Sequence, residues 1–493
     1  MIKKHLIYII FSLLTALNLH SQKANGLILT MEEAIDLARK QAPSVISARH
    51  SFHVAYWNYR YFKANYLPSV SFSSTPNFNH QINPITMPDG TSQFVQQNQL
   101  IVDGTLSVNQ NIALTGGSIS LNTGLNRLDL FGTVNSHSYR TNPVSISYRQ
   151  SLNGYNSLKW DKKIEPLRYE IAKKNYVVTL ENISNNVISR FFSLAMAQTN
   201  LDIALTNYQS ADTLYSFAQG RYQIGRITEN EMLQLEVTRL NAETNLMNAK
   251  INLEDNIQSF RTYLGIKDTI PIEVIVNKTV PDVHVDPYKA LNLAIENSPT
   301  IMDMKRRELD NESSVAYYKA NSGFQMSLQA QLGLSKASNE LHSAYQDLIN
   351  QQYVQIGVSV PILDWGRRKG QLKVAESNRR LTEIQLEQDR IDFEEAILRL
   401  VRQFNIQNNQ IRVAEKTDYT ANKRNDVAQR LYVLGRSTII DLNSAITEKD
   451  AAKRNYISTL YSFWQYYYEI RRYTLYDFAK SMLITEDYEL LLK

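Results

Sequence analysis

The chain repeats itself, and this constrains its fold more than any other feature. Ala34-Ile-Asp-Leu-Ala38, followed by Pro43, returns 256 positions later as Ala290-Leu-Asn-Leu-Ala294, followed by Pro299. At the same offset Tyr61-Phe-Lys-Ala-Asn65 returns as Tyr317-Tyr-Lys-Ala-Asn321. Farther along the offset is 210: Val144-Ser-Ile-Ser-Tyr148 answers to Val354-Gln-Ile-Gly-Val358, Tyr222 to Tyr432, and Gly225-Arg226 to Gly435-Arg436. Matches held at a fixed offset mark a tandem duplication of one supersecondary unit. The two offsets differ by 46, so the first repeat carries an insert of about that length between Phe72 and Val144.

Each repeat reads as helix, strand, strand, long helix, turn, long helix. Strict alternation identifies the strands: Phe324, Met326, Leu328, Ala330, Leu332 and Leu334 alternate with uncharged polar residues and Gly333, and Val354, Ile356, Val358 and Val360 do the same. One apolar face and one uncharged polar face suit a lipid-facing wall with a wetted lumen, and over so few residues they also fit a half-buried soluble hairpin. The insert has its own alternation, Leu106-Val108-Gln110-Ile112 and Ile119-Leu121, around Thr115-Gly116-Gly117, and reads as an extra hairpin.

The helical signal is longer. Only Gly220 interrupts residues 156–222 with glycine, and only Gly370 interrupts 367–432. Such runs are on the order of 100 Å at 1.5 Å per residue, more than a compact domain needs. Apolar residues form a seam at Tyr176, Leu180, Ile183, Val187, Leu194, Leu201, Leu205 and Tyr208, and in the second repeat at Phe393, Ile397, Leu400, Phe404 and Ile411. In the return helix, Leu233, Val237, Leu240, Met247 and Ile251 keep coiled-coil spacing. The expectation is two antiparallel coiled-coil hairpins with about four barrel strands per chain. Four strands are too few to close a barrel without open edges, so association is required.

Composition narrows the function classes. There are no cysteines among 493 residues, which excludes a disulfide scaffold, a thiolate metal site, a cysteine nucleophile and N-terminal lipidation. The net charge of +5 is far from the basic stripe of a nucleic-acid binder, so no nucleic-acid partner is expected. Residues 1–22 read as a secretory signal: Lys3 and Lys4, an apolar run from Leu6 to Leu17, then a polar exit. Beyond it no apolar run reaches the length of a spanning helix. His50 and His53 stand three apart without a zincin Glu, Thr115-Gly-Gly-Ser118 lacks the lysine of a phosphate loop, and no nucleophile and base recur together. Neither an enzyme nor a cofactor or metal site is expected.

Leu29-Thr-Met-Glu-Glu-Ala-Ile-Asp-Leu-Ala38 with Pro43, Leu67-Pro-Ser-Val-Ser-Phe72 entering a strand, Val360-Pro-Ile-Leu-Asp-Trp-Gly-Arg-Arg368 leaving the last strand, and the turns Tyr222-Gln-Ile-Gly225 and Tyr432-Val-Leu-Gly435 together resemble the outer-membrane efflux protein family, the TolC-like exit ducts. The resemblance covers about residues 28–478. It implies a mainly α chain with a membrane β-barrel part, assembled as a homotrimer whose twelve-strand outer-membrane barrel continues as a periplasmic α-helical tunnel. The implied partners are outer-membrane lipid, a periplasmic membrane-fusion adaptor and an inner-membrane RND or ABC transporter. The implied function is the exit duct of a tripartite efflux pump or type I secretion system, carrying small molecules or proteins outward. A structural coiled-coil spacer or adhesin is the rival reading. Boundaries follow as signal peptide 1–22, first repeat 28–265, linker 266–284, second repeat 285–478 and tail 479–493.

The resemblance also implies a constriction at the periplasmic end, for which Asp441, Glu231 and Tyr432 are the matching positions. Ser444 and Ser437 stand where the family often has a second Asp and a locking Arg. Thr228-x-x-Glu231 and Thr438-x-x-Asp441 equally read as helix capping boxes, and Tyr432 equally as a seam residue. Gly225, Arg226, Gly435 and Arg436 mark the turn tips where an adaptor would dock.

Overall fold

The structure is a computed structural model that describes residues 27–132, 134–267 and 270–492; the expected signal peptide lies outside them. The duplication is visible element by element. In the first repeat, strand β1 (Leu27–Leu29) precedes helices α1 (Met31–Gln41) and α2 (Pro43–Ala64). Five strands follow, β2 (Ser69–Ser74), β3 (Asn77–Thr86), β4 (Ser92–Ile112), β5 (Gly117–Leu130) and β6 (Ser136–Ser151), and then helices α3 (Ser157–Gln223) and α4 (Glu229–Leu264). Strand β7 (Ile272–Val274) lies in the linker, and the second repeat runs α5 (Pro287–Asn297), α6 (Pro299–Ser322), β8 (Gln325–Ser338), β9 (Ile349–Ser359), α7 (Arg367–Asn405), α8 (Gln407–Val433) and α9 (Ile439–Thr474). Short strands β10 (Tyr476–Asp477) and β11 (Met482–Leu483) and helix α10 (Tyr488–Leu491) end the chain. Shifted by 256, α1 falls on α5; shifted by 210, α3 falls on α7 with α8, and α4 on α9. No helix of the described residues is long and apolar enough to cross a membrane.

The chain forms two compact units, and each draws on both repeats. One takes residues up to 51, 175–298 and those from 394 onward; the other takes 52–174 and 299–393.

The first unit is helical. Its helices start where the sequence supplies caps: Thr30 and Glu33 form a capping box before α1, and Asp286 accepts from Lys289 N–H before α5, with Pro287 at the first position. Helix α3 packs antiparallel to both α4 and α9. Phe191 meets Phe260 and Tyr263 hydroxyl reaches Ile183 carbonyl on one side, while Phe192 meets Tyr461 and Asn185 reaches Glu469 on the other. The expected seams of α3 and α7–α8 are buried at Tyr176, Leu180, Ile183, Val187, Leu194, Phe393, Ile397, Leu400, Phe404 and Ile411, whereas toward the turn Leu201 and Tyr208 are half-buried and Leu205 is exposed. Aromatic residues near the end of α9 pack inside this unit: Phe463 stacks on Tyr467, Trp464 meets Phe463 and Tyr468 meets Tyr467 edge to face, and Phe404 is tilted against Phe463.

The seam expected in α4 is different. Leu233, Val237, Leu240, Met247 and Ile251 are exposed, and Leu235, Ala242, Phe260 and Leu264 are buried instead. The periodicity detected a real apolar stripe, but this helix carries two, and contacts within one chain cover only the other. A heptad pattern reports that a stripe is apolar, and the neighbour decides whether it is buried.

One ion cluster lies in this core. Glu181, fully buried, accepts from Arg39 Nη2 at 2.5 Å and from Arg471 Nε and Nη2 at 3.0 and 3.1 Å. Arg471 also pairs with Asp477 at 3.0 Å, and Tyr467 donates to Asp477 at 2.6 Å. Burial opposes ionisation of Asp477, but the Tyr467 hydroxyl, the Lys480 N–H and Arg471 outweigh it and hold the carboxyl below its ordinary range. A buried carboxylate shared by two guanidiniums ties α1, α3 and α9 at one point.

The second unit holds the sheet, whose order is β2-β4-β5-β6-β8-β9 with β3 also on β4. Since β2 pairs with residues 104–109 of β4 and β3 with residues 92–101, they form one broken edge, and six strands stand side by side. All pairings are antiparallel. One chain thus lines up the four strands expected of the two repeats and the two of the insert's hairpin. The insert's hairpin, β4 with β5, is hydrogen-bonded between β2 and β6, and so belongs to the same sheet. Alternation in a strand is the same whichever strand lies beside it, so the sequence pattern did not fix its place.

Candidate functional site at the helical turns and on the sheet

Each long helical hairpin reverses through a turn, and the two turns have the same geometry. Gly225 and Gly435 both have φ of +71°, the left-handed conformation that costs other residues about 1–2 kcal/mol. Gly225 N–H donates to Tyr222 carbonyl at 2.9 Å and Arg226 N–H to Arg221 carbonyl at 2.8 Å; Gly435 and Arg436 repeat both bonds to Tyr432 and Leu431 at the same distances. This is the Schellman closure of a helix C-terminus. Arg226 and Arg436 follow, both exposed.

The next helices begin with the expected capping boxes. Thr228 N–H donates to Glu231 Oε2 at 2.9 Å while Glu231 N–H donates to Thr228 Oγ1 at 3.3 Å. In the second repeat Thr438 Oγ1 donates to Asp441 Oδ2 at 2.7 Å, Asp441 N–H returns to Thr438 Oγ1 at 3.1 Å, and Ser437 Oγ donates to Asp441 Oδ2 at 3.4 Å. The bonds from the Thr438 hydroxyl and N–H hold the Asp441 carboxyl below its usual range. Both acids therefore cap helices, and Ser437 joins the cap at Asp441.

The turns also meet each other. Arg221 Nη2 donates to Val433 carbonyl at 2.7 Å, tying the end of α3 to the end of α8. Tyr432 is half-buried, and its hydroxyl is pushed up by burial, opposed by Arg221 and reinforced by Glu231. Arg221 and Glu231 thus both act on Tyr432, from 211 and 201 positions away in the chain. Asp441 is held at its own turn, with Arg424 as the nearby cation. Arg424 pairs with Glu448 between α8 and α9, and Ser444 Oγ donates to Glu448 Oε1 at 3.1 Å. Sequence reasoning missed Arg221 and the Arg424–Glu448 pair. The repeat offset offered a signal: Leu431 stands opposite Arg221, and Leu214 and Thr238 opposite Arg424 and Glu448, so these ties occur in one repeat only.

On the sheet, the register assigns every strand's faces. Across one face run Val70, Val108, Leu121, Ile146 and Leu332, each the direct partner of the next. Across the other run Ser71, Ser107, Asn122, Ser145, Gly333 and Gln351. The apolar face is open: Val70, Leu121, Ile146 and Leu332 are all exposed, as are Val354, Ile356 and Val358 on β9. A contiguous exposed apolar face of this extent marks a surface that another phase or another chain covers.

Comparison with known proteins is consistent with this geometry. Residues 108–266 and 290–474 match the model of the outer membrane efflux protein family. Among curated proteins the chain is 27% identical over 99 residues to toxin and drug export protein A of Aggregatibacter actinomycetemcomitans, covering 20% of this chain and 22% of that one. It is 26% identical over 143 residues to an uncharacterized protein of Haemophilus influenzae, 29% of each. The chain thus aligns with between 22% and 29% of the length of these curated relatives. Among solved structures, the CmeC outer membrane channel of Campylobacter jejuni superposes with TM-score 0.64 at 14% identity, covering 93% of this chain and 87% of that one. The outer membrane protein VceC of Vibrio cholerae gives 0.61 at 13% identity, with 92% and 96% covered. CusC gives 0.62 at 14%, with 90% and 91% covered. At such identities the likeness is one of fold.

Proposed function

Because this chain belongs to the outer membrane efflux protein family, we propose that it forms a passive exit duct in the bacterial outer membrane. Three chains join their sheets into a barrel in the lipid and their helices into a periplasmic tunnel. The observation that carries this reading is the sheet with one exposed apolar face and one face of Ser, Asn, Gln and Gly, which suits lipid outside and water inside. The exposed stripe of α4, from Leu233 to Ile251, supports association as well, since a neighbouring chain would cover it.

In this reading the helical turns form the periplasmic end. Gly225, Arg226, Gly435 and Arg436 present the docking surface for a membrane-fusion adaptor, and an inner-membrane RND or ABC transporter supplies the driving force. Asp441, Glu231 and Tyr432 form the constriction. A three-fold axis gathers several carboxylates around one opening, which favours cations. Small molecules or proteins leave through it, and their selection belongs mainly to the pump. The spacer or adhesin reading gives the exposed apolar face of the sheet nothing to face.

The test is the mass of the detergent-extracted protein from outer-membrane fractions, followed by conductance in planar bilayers. A trimer with a cation-selective pore is expected. Replacement Asp441→Ala lowers that selectivity if the residue lines the constriction; unchanged selectivity with reduced thermal stability limits Asp441 to capping. A monomer recovered from the soluble periplasm overturns the duct.

A further inference from the structure

We propose that the insert of the first repeat is part of the membrane wall, so that each chain contributes six strands and a three-chain assembly closes an eighteen-strand barrel. This rests on the duct reading above and replaces the twelve strands implied by the family resemblance.

The insert enters the sheet in line. In the second repeat β8 pairs directly with β9. In the first repeat the equivalent strands, β2 and β6, do not touch; β4 and β5 stand between them, the one on β2 and the other on β6. The ladder joining β4 to β5 is unbroken from Gln99–Leu130 to Ile112–Gly117. It leaves no row of unpaired backbone groups inside the sheet, which hydrocarbon would not tolerate.

The faces of the inserted strands continue those of their neighbours. Val108 and Leu121 extend the apolar row between Val70 and Ile146, and Ser107 and Asn122 extend the polar row between Ser71 and Ser145. A hairpin folded into the lumen as a plug would turn its apolar side to water, and a soluble flap would need a second layer over that side. Leu106 and Leu121 are exposed, so no such layer covers them in this chain. Only a place in the wall gives both rows their proper phase.

Closure follows from the edges. The two outer strands are the β2–β3 edge and β9, and with six strands alternating in direction they run opposite ways. Pairing of β9 with β2–β3 of the next chain is therefore antiparallel, like every pairing within the sheet, and three chains give an even strand number. At a common tilt of about 40° and a spacing of about 4.8 Å, eighteen strands give a backbone diameter of about 36 Å, against about 24 Å for twelve. The wall is then about half as wide again, and the outer mouth does not limit the duct.

The absence of cysteine makes a direct test clean. Single replacements Leu106→Cys, Leu121→Cys, Ser107→Cys and Ser120→Cys in the insert, with Leu332→Cys and Gln331→Cys in β8 as references, are spin-labelled in the trimer reconstituted into phospholipid vesicles. Collision rates with oxygen and with a water-soluble nickel chelate then separate lipid from water. The ratio of oxygen to nickel accessibility at 106 and 121 is expected to match that at 332 and to exceed that at 107 and 120 several-fold. If 332 reads as lipid while 106 and 121 do not, the insert lies outside the wall and the proposal fails with the duct intact. If 332 also fails to read as lipid, the membrane reading itself fails. An electron cryomicroscopy map of the unmodified trimer in a nanodisc gives the second readout, with eighteen strands supporting the proposal and twelve overturning it.

Discussion

Replacing Glu181 with glutamine tests how the helical unit is held together. Glu181 is fully buried and is the shared anion of Arg39 and Arg471. The replacement keeps the shape but removes the charge and turns an amide NH₂ toward a guanidinium. Leaving a buried charge without its partner costs about 3–5 kcal/mol. Two features place the cost at the lower end. Arg471 keeps Asp477 at 3.0 Å, and the Arg39 side chain is 25% exposed, so water recovers part of its solvation. The expected loss is about 3 kcal/mol. Removing one cation instead, by Arg39→Gln, gives up its bonds to Glu181 and to Ser184 but leaves Glu181 with both bonds from Arg471, and costs about 2 kcal/mol, the value of a hydrogen bond to a charged group. The assay is thermal unfolding of the detergent-solubilised protein followed by far-UV circular dichroism at matched concentration. In a chain of this size each kcal/mol moves the midpoint by roughly 1–2 °C, so Glu181→Gln lowers it by roughly 3–6 °C and Arg39→Gln by roughly 2–4 °C. A larger drop for Arg39→Gln than for Glu181→Gln, or no drop for Glu181→Gln, refutes the shared-anion account.

Gly435→Ala meets no neighbouring atom but must hold a left-handed φ, so the turn loses about 1–2 kcal/mol and the amides of residues 435 and 436 exchange roughly 5–30 times faster by mass spectrometry. Burial pushes the Tyr468 hydroxyl up to about 12, so in the folded chain it stays protonated after the unfolded chain ionises from 10.0 upward. Its contribution is complete below pH 10 and lost as pH rises toward 12, about 3 kcal/mol in all. Tyr467 is pushed up by burial and by Asp477 as well, so Tyr468→Phe removes part of the alkaline decline in the unfolding midpoint and leaves the rest. Arg221→Met removes the bond to Val433 carbonyl and the cation beside Tyr432, and resting conductance in planar bilayers rises while the melting midpoint shifts by less than about 2 °C, as expected for one exposed hydrogen bond.

What the sequence determined by itself is local. Helix lengths, the capping boxes at Thr228 and Thr438, the glycine turns at 225 and 435 and the strand alternation all depend on residues within a few positions of one another. The duplication then reported the same elements twice, and the structure reproduces them at offsets of 256 and 210. Tertiary structure decided which neighbour each element meets. Alternation at Leu106-Val108 and Ile119-Leu121 marks strands, but only hydrogen bonds to β2 and β6 put them inside the one sheet. The stripe from Leu233 to Ile251 is apolar in sequence, yet Leu235 and Ala242 are the residues buried in the chain. Glu181 lies in a run of apolar seam residues, and its two cations come from 142 and 290 positions away. Each compact unit takes segments from both repeats. The physical reason is common to all four: periodicity, caps and turns set backbone conformation through short-range sterics and hydrogen bonds, whereas burial and ion pairing are properties of two surfaces, and the second surface lies far away in the chain.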